Sequence, residues 1–387
     1  MMAKFNKTYL SLLVFLFLSC NIAQASLFET KEFSLGGYYK NIFTTSKTLD
    51  TKQGYYSDTN RLRLDAKYKP SDNLLFHFIY DNNMIFNDFS KTPDFDLIRQ
   101  KNQKNLAFLD ADRVISDKDH FYWEHLLYRG YVKYTSDKMH VTAGKQAIDW
   151  SRMRFYHTLD IFNPVSPLDI EKDEQVGVDA LNTEFFPAGL PSINLLYVPY
   201  KNRSRNGWGV KISERIKDYD LGFIAAEYRK ERTFGVYFDG NLKQAGFRGE
   251  ITATRDDTQR DFARVNLGID HNFNPKLYTV AEYFYNGGAQ DNPEQFFSSF
   301  VYSEQVLSMF KNLLSVGAEY ELTGITKIAN YFIFDLEKGS GFYNPEIRCN
   351  ATTNLDLCIG AQIFWGSQQS EFGDYQNLFY TQAKLYF

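Results

Sequence analysis

The chain has 387 residues, of which 44% are hydrophobic and 17% aromatic, and it carries a formal net charge of −4. Its mean hydropathy is −0.41, and only the amino-terminal region holds a long apolar run. A membrane-spanning helix needs about 18 or more consecutive apolar residues, so a helical membrane protein is excluded. The acidic balance also argues against a partner nucleic acid, which requires a basic surface.

The amino terminus has the pattern of a secretory signal peptide. Two lysines precede a short apolar run, and Ala23-Gln24-Ala25 then provides a small-x-small cleavage site. We expect residues 1–25 to be removed and residues 26–387 to form one domain. Lipoprotein processing at Cys20 is the alternative, although Phe17-Leu18-Ser19 before it differs from a lipobox.

Two cysteines remain after cleavage, Cys349 and Cys358. An exported protein enters an oxidising compartment, so we predict a disulfide between them, with two free thiols as the alternative. A Cys-x-x-Cys-His motif and a glycine-rich phosphate loop are both missing from the sequence, so we predict neither a cofactor nor a metal.

Segments that alternate apolar and polar residues recur along the chain. In residues 60–69, for example, Leu62 and Leu64 alternate with Arg61 and Arg63, as in a strand with one apolar face. We predict sixteen strands, at residues 32–43, 60–69, about 76–81, 122–134, 139–148, 179–186, 192–199, 208–216, 219–229, 232–239, 243–254, 262–272, 277–287, 312–322, 325–336 and 377–387. Additional strands near residues 355–366 raise the count to eighteen in an alternative interpretation.

The connections between these strands are alternately short and long, from the first strand to the last. An outer-membrane barrel needs this order, because short turns lie at its periplasmic end and longer loops outside. The last strand ends on Phe387, and an apolar strand at a free edge would aggregate in water. The terminal Phe resembles the insertion signal of bacterial outer-membrane barrels. The sequence therefore predicts an all-β, antiparallel, up-and-down transmembrane β-barrel in the bacterial outer membrane, in contact with its lipids.

The alternation also assigns many charged side chains to the inside of the barrel. A charged lumen is stable when it is filled with water. The predicted lumen charges are Arg61, Arg63, Lys67, Arg129, Lys133, Arg248, Arg264, Glu282, Glu319 and Glu321.

One long loop, residues 149–178, is more aromatic than a solvated loop normally is. We predict that it folds inward and narrows the lumen, although a position over the outer rim is the alternative. The predicted constriction residues are Arg152, Arg154, Asp160, Asp169 and Glu171.

The region around this loop resembles the alginate export family and related porin-like barrels. The similarity lies in Tyr131-Val132-Lys133-Tyr134, Gly144-Lys145-Gln146, Asp149-Trp150 and Asn163-Pro164. Lys145 and Ser151 stand where the family pattern has Arg and Gly. The resemblance implies a porin-type barrel, and the mixed lumen charges do not extend it to alginate.

The predicted function is a passive, water-filled channel for small hydrophilic solutes, such as sugars or carboxylates. Trp150, Phe155 and Tyr156 can stack on sugar rings or can simply anchor the loop. The alternative is a plugged or partner-dependent barrel in an export or electron-transfer complex. His157 can be drawn in a triad with Ser151 and Asp160, but proximity in sequence does not establish catalytic geometry, so we predict no enzyme. A monomer and a homotrimer both fit the sequence.

Overall fold

Long antiparallel strands follow from the alternating pattern, because successive side chains of a strand point to opposite faces. The computed structural model describes residues 26–49, 51–96, 108–109, 111–118, 120–171, 175–289 and 308–387. Its strands belong to one continuous sheet. Eighteen of them close into a barrel, which confirms the predicted fold class.

The first half of the chain contains ten strands. Two of them, β1 and β5, are short and are not among the eighteen strands of the barrel. Their bounds are β1 (Phe28–Glu29), β2 (Phe33–Lys47), β3 (Gly54–Ser71), β4 (Leu74–Phe86), β5 (Arg113–Lys118), β6 (Phe121–Thr135), β7 (Met139–Gln146), β8 (Val178–Phe185), β9 (Ser192–Val198) and β10 (Gly207–Ile216). Short 3-10 helices occupy Asp88–Lys91 and Arg203–Arg205.

Ten further strands complete the barrel. The first of them forms a hairpin with β10, the next eight form four hairpins, and the last closes the barrel. Their bounds are β11 (Tyr219–Tyr228), β12 (Glu231–Leu242), β13 (Ala245–Arg255), β14 (Asp261–Asn274), β15 (Leu277–Asn286), β16 (Asn312–Thr323), β17 (Thr326–Asp335), β18 (Gly341–Thr352), β19 (Leu355–Trp365) and β20 (Leu378–Tyr386).

The barrel closes where β20 pairs with β2, from Tyr38 opposite Tyr386 to Thr45 opposite Phe379. The terminal Phe387 continues this seam. Its backbone N–H donates to the Gly37 carbonyl at 3.1 Å, and its own carbonyl accepts from the Gly37 N–H at 2.9 Å. The chain therefore ends inside the hydrogen-bonded seam, and closure removes the exposed edges that an open sheet would present.

The outer face of the barrel is apolar. Ile212, Phe223, Val236 and Ile251 lie opposite one another on β10, β11, β12 and β13. Their side chains are between 39% and 49% exposed. Such a row of exposed branched and aromatic side chains is typical of a barrel whose outside contacts lipid.

The two ends of the barrel differ. Tight turns join β10 to β11 and β12 to β13, and β1 and the C-terminal Phe387 lie at this turn end. The opposite loop end carries the long connections, including residues 147–177 between β7 and β8. Helices long and apolar enough to cross a bilayer are not found in the described ranges.

The eighteen strands correct the main estimate of sixteen and agree with the alternative. The additional pair is the hairpin of β18 and β19, and β19 covers nearly the same residues as the alternative strands near 355–366. The structure also places β5 inside a segment predicted as loop, where it pairs with the first residues of β6.

The predicted disulfide is wrong in this structure, because Cys349 and Cys358 are both free. Cys349 lies opposite Leu357, the residue that precedes Cys358 on β19. Neighbouring residues of a strand point to opposite faces, so one thiol faces outward and the other faces the lumen. A disulfide needs side chains that approach each other, and this register separates them. The predicted signal peptide, residues 1–25, lies outside the described residues and stays a prediction.

Candidate functional site

The connection between β7 and β8 folds inside the barrel. We call residues 147–177 the lumen loop; residues 172–174 of it lie outside the described ranges. Leu159 is fully buried, and Tyr156 and Phe162 are 2% and 1% exposed. These side chains are buried because they pack against the inner wall, as the inward-folding prediction requires.

The first half of the loop packs on β10 and β12 through glycines of the wall. A Cβ atom built on Gly209 would lie 2.6 Å from the Trp150 ring, and one on Gly235 would lie 2.5 Å from Leu159. Any larger side chain at these positions would displace the loop. Trp150 also contacts Phe162 edge to face, with ring centroids 5.2 Å apart.

Two wall carboxylates hold the backbone of the same half. Glu250 on β13 accepts hydrogen bonds from the Ser151 hydroxyl at 2.7 Å and from the Thr158 hydroxyl at 2.7 Å. Glu282 on β15 accepts from the backbone N–H groups of Arg154 and Phe155, at 2.6 Å and 3.0 Å. Buried polar groups are tolerated when they are hydrogen-bonded, and these contacts fix the loop to the wall.

A second carboxylate arrangement stabilises the loop from within. Asp160 accepts from the backbone N–H groups of Trp150 and Ser151 at 2.7 and 2.8 Å, and its other oxygen lies 3.0 Å from His157 Nδ1. Burial lowers the pKa of His157, but the hydrogen bond and the charge of Asp160 outweigh it and raise the pKa above its usual value. The Ser151 hydroxyl donates to Glu250, so these residues do not form a Ser-His-Asp relay.

The second half of the loop crosses to the opposite wall. Glu171 lies 2.7 Å from Lys40 Nζ on β2 and forms a bidentate pair with Arg61 on β3, at 2.7 and 2.9 Å. Burial alone raises the pKa of Glu171, but the charges of Arg61 and Lys40 and their hydrogen bonds lower it to about 2.

Further hydrogen bonds complete the path of the loop around the inside of the barrel. Gln362 on β19 donates to the Leu168 carbonyl at 2.6 Å, and Arg129 on β6 donates to the Gln175 carbonyl at 3.0 Å. The loop thus contacts strands on every side of the lumen and narrows it at this level.

The five predicted constriction residues have different environments. Arg154 and Asp169 are exposed, so their charged groups are accessible on the surface of the loop. Arg152 is one-third exposed and pairs with Asp220 at 3.0 Å. The Asp160 side chain is fully buried, so it does not line the predicted constriction, because its oxygens bind the backbone of the loop. Glu171 is a fixed cross-link to the wall.

The predicted lumen charges lie on the inner side of their strands, and most have partners. Arg63 binds Asp81 at 2.5 Å, and Arg248 pairs with Asp270. Other contacts join Arg264 to Asn286, Lys67 to Asp65, Glu282 to the loop and Glu319 to Tyr331. Lys133 and Glu321 lie opposite Leu75 and Lys327. Ion pairs and hydrogen bonds to neutral groups therefore hold most of these charged side chains in place.

A polar cavity of about 610 Å³ lies at the turn end of β10 to β14. Its lining carries both signs of charge and no large apolar side chain. The lining residues are Arg215, Asp218, Asp220, Asp239, Gly240, Asn241, Gln244, Gly246, Arg248, Asp270, His271 and Asn272. Within the described residues, no group of three or more His, Cys, Asp or Glu side chains is arranged to hold a metal.

The sequence did not identify several residues that position the loop, including Glu250, Lys40 and Gln362. Each occupies a strand position that faces the lumen, and the alternation of the sequence predicts this direction but not the partner. Their partners lie between 92 and 194 residues away in the chain, and a single sequence carries no signal for such a pairing.

The comparisons with known proteins support the fold. Neither the family models nor the curated proteins include a match to this chain. Among solved structures, Acinetobacter baumannii OccAB3 aligns with 92% of this chain and 100% of its own, at a TM-score of 0.58 and 11% identity. A. baumannii OccAB2 aligns with 92% of this chain and 98% of its own, at 0.58 and 10% identity. At such low identity the two structures show a common barrel fold and nothing finer.

Proposed function

We propose that the chain is a bacterial outer-membrane porin, a channel for passive diffusion of small hydrophilic solutes. The observation that carries this proposal is the lumen loop inside a closed eighteen-strand barrel. The loop buries its apolar side chains against the wall and leaves Arg154 and Asp169 exposed. A barrel of this size encloses an aqueous lumen, and an inward loop restricts its width.

The proposed location and processing follow from the same features. An apolar outer row suits lipid contact, and the amino-terminal pattern of residues 1–25 fits export through a signal peptide. The resemblance to the alginate export family has no support in the comparisons, so the proposal names a porin without a family.

The aromatic residues of the loop do not serve as a sugar-stacking surface. Trp150, Phe155 and Tyr156 are between 2% and 6% exposed, and Tyr156 stacks on Phe284 of the wall with ring centroids 4.6 Å apart. The groups available for solute contact are therefore the exposed charges of Arg154 and Asp169 and the polar cavity at the turn end. We propose that these polar groups admit sugars or carboxylates by size and charge, and that the protein has no catalytic role.

Swelling of proteoliposomes tests the channel proposal. Vesicles that contain the folded, heat-modifiable mature chain are diluted into isotonic solutions of uncharged sugars of increasing size. We expect swelling whose rate falls steeply as the sugar becomes larger, because the loop narrows the lumen. Empty vesicles are the control. Folded barrels that give no swelling with the smallest sugar would contradict the proposal and favour a plugged or partner-dependent barrel.

A further inference from the structure

The polar cavity at the turn end of β10 to β14 lies next to the lumen loop. Arg152 of the loop pairs with Asp220 of the cavity lining at 3.0 Å. A Cβ atom built on Gly268 would lie 3.1 Å from Met153 of the loop and 3.3 Å from Arg248 of the lining. Under the proposed function, a solute that passes the loop from the outside therefore enters this cavity.

Four charged side chains of the lining form a row across neighbouring strands. Arg215 on β10 lies opposite Asp220 on β11, which itself lies opposite Asp239 on β12. Asp239 in turn lies opposite Arg248 on β13. Two carboxylates thus stand side by side at the centre of the row, and like charges directly opposite each other are destabilising. A cation placed between them is attracted by both.

The two central carboxylates keep free acceptor oxygens. Arg248 forms its close ion pair with Asp270, whereas its Nε lies 3.7 Å from Asp239 and has no hydrogen-bond partner. The Asp239 side chain is 37% exposed and accepts no hydrogen bond from any described residue. Among the same residues, Asp220 uses one of its oxygens, in the contact with Arg152. Three acceptor oxygens of the pair therefore remain for a solute.

The lining as a whole is acidic, since it holds four aspartates and two arginines. Asp218, in the turn between β10 and β11, is exposed and makes no ion pair with any described residue. The His271 ring packs on the exposed Phe273, with ring centroids 4.8 Å apart, and so adds little to the charge of the lining. An anionic solute would meet repulsion from the aspartates, and a cationic solute would meet attraction.

We infer that this cavity binds a sugar that carries an ammonium group, such as a hexosamine. The inference narrows the solute class of the proposed function and rests on that function, because the solute has to enter the lumen. An ammonium group has three donor hydrogens, which suit the free acceptors of Asp220 and Asp239. Hydrogen bonds between a cation and a carboxylate are shorter and stronger than those between neutral groups.

The rest of the lining suits the hydroxyl groups of such a solute. Asn241, Gln244 and Asn272 supply carboxamides, which both donate and accept, and Arg215 supplies further donors. The cavity volume of about 610 Å³ is within the range of small-molecule sites, about 300–1,000 Å³. A bare metal ion is a poorer occupant, because no three carboxylate or imidazole groups of the described residues converge on one point.

Block of the ion current in a planar bilayer by related sugars tests the site. Glucosamine is cationic, glucose and N-acetylglucosamine are neutral, and glucuronate is anionic, on similar rings. We expect glucosamine to block at a concentration about tenfold lower than glucose, because only its ammonium group reaches the carboxylates. Glucuronate should block least. Equal block by glucosamine and glucose, or stronger block by glucuronate, would overturn the inference.

The variant Asp239→Asn separates the site from the charge of the lumen as a whole. It should raise the half-blocking concentration of glucosamine by about tenfold and leave that of glucose unchanged. The matched control, Asp356→Asn, removes the same charge from the inner side of β19, in one row with Lys384 and Lys40. Both variants should keep the heat-modifiable barrel. An equal shift in the two variants, or no shift in Asp239→Asn, would contradict the site.

Saturation-transfer NMR on the detergent-solubilised barrel separates this inference from the channel proposal. It detects bound glucosamine whether or not the barrel conducts. A silent barrel that binds glucosamine, and loses the signal in Asp239→Asn, would count against the channel and support the site. A conducting barrel that gives no signal with glucosamine, or the same signal in Asp239→Asn, would overturn the site and leave the channel proposal intact.

Discussion

Individual lumen charges in this barrel act mainly as structural contacts. Glu171, Glu250 and Glu282 each bind either a cation of the wall or the backbone of the lumen loop. Charged groups in a partly buried setting cost free energy unless they are paired and hydrogen-bonded. Among the charges of the lumen loop, Arg154 and Asp169 remain exposed, so under the proposed function they are accessible to a passing solute.

The contact between Glu171 and its two cations predicts a pH dependence. Its pKa is lowered from 4.5 to about 2 in the folded protein. A lowered pKa contributes stability that is complete above about 4.5 and is lost as the pH falls toward about 2. We expect channel current noise to stay low from neutral pH to about 4.5 and to rise below it as the loop detaches.

The matched variant for this prediction is Glu171→Gln, which cannot be ionised. Its current should be noisier than wild type at neutral pH and should change less on acidification. Identical pH profiles for the two proteins would contradict a role of Glu171 in holding the loop.

Glu250 provides a second test at this scale. Replacing it by alanine leaves the Ser151 and Thr158 hydroxyls and the Arg152 N–H without their acceptor. Loss of such a buried partner costs about 1–3 kcal/mol. We expect Glu250→Ala to lower the temperature at which the barrel loses its fast electrophoretic mobility. Glu184→Ala is the control, because the Glu184 side chain is 44% exposed and lies at the turn end; an equal loss in both variants would argue against a specific loop contact.

At the scale of elements, most strands were predictable from the sequence, whereas the two strands of the β18–β19 hairpin were not part of the main prediction. Strands β2 and β6 are each fifteen residues long and cover the predicted segments 32–43 and 122–134. Pro345, in contrast, interrupts β18, and a proline cannot donate to a ladder. In the structure the pairing of β18 with β19 skips this point, and the Asn344 side chain donates to the Ala361 carbonyl at 2.8 Å instead. A side-chain substitute for a backbone hydrogen bond is not visible in a sequence.

The lumen loop was predictable in position but not in detail. Its aromatic composition indicated packing, and the described residues 147–171 and 175–177 fold inward. Which side chains face the wall depends on grooves left by glycines such as Gly209 and Gly235 on distant strands. The buried position of Asp160 and the exposed position of Arg154 follow from that packing, and periodicity within a loop cannot supply it.

The wall glycines lead to a prediction for the loop as a unit. Gly209→Val should push Trp150 and Phe162 away from β10, since a Cβ there lies 2.6 and 3.0 Å from their rings. Overpacking of this kind costs about 1–3 kcal/mol. We expect a lower unfolding temperature and a larger, noisier conductance. Gly54→Val is the matched control, because a Cβ at Gly54 meets nothing within 4 Å; a similar effect in both variants would contradict the proposed packing.

On the scale of the whole molecule, closure and amphipathic alternation define the fold. The pairing of β20 with β2 closes the barrel, and apolar rows such as Ile212, Phe223, Val236 and Ile251 face outward. The lumen loop then determines how wide the interior is, because it is attached to walls on opposite sides. The alternation within strands thus specifies the barrel fold, whereas long-range contacts of the lumen loop specify the constriction.

Single-channel conductance in a planar bilayer tests the central claim, that the lumen is an aqueous pore narrowed by the lumen loop. The mature chain is compared with a variant in which a short linker replaces residues 151–175. We expect wild-type steps that increase with salt concentration, and larger steps from the shortened variant. A folded wild-type barrel that stays silent, or a shortened variant with the same step size, would contradict the claim.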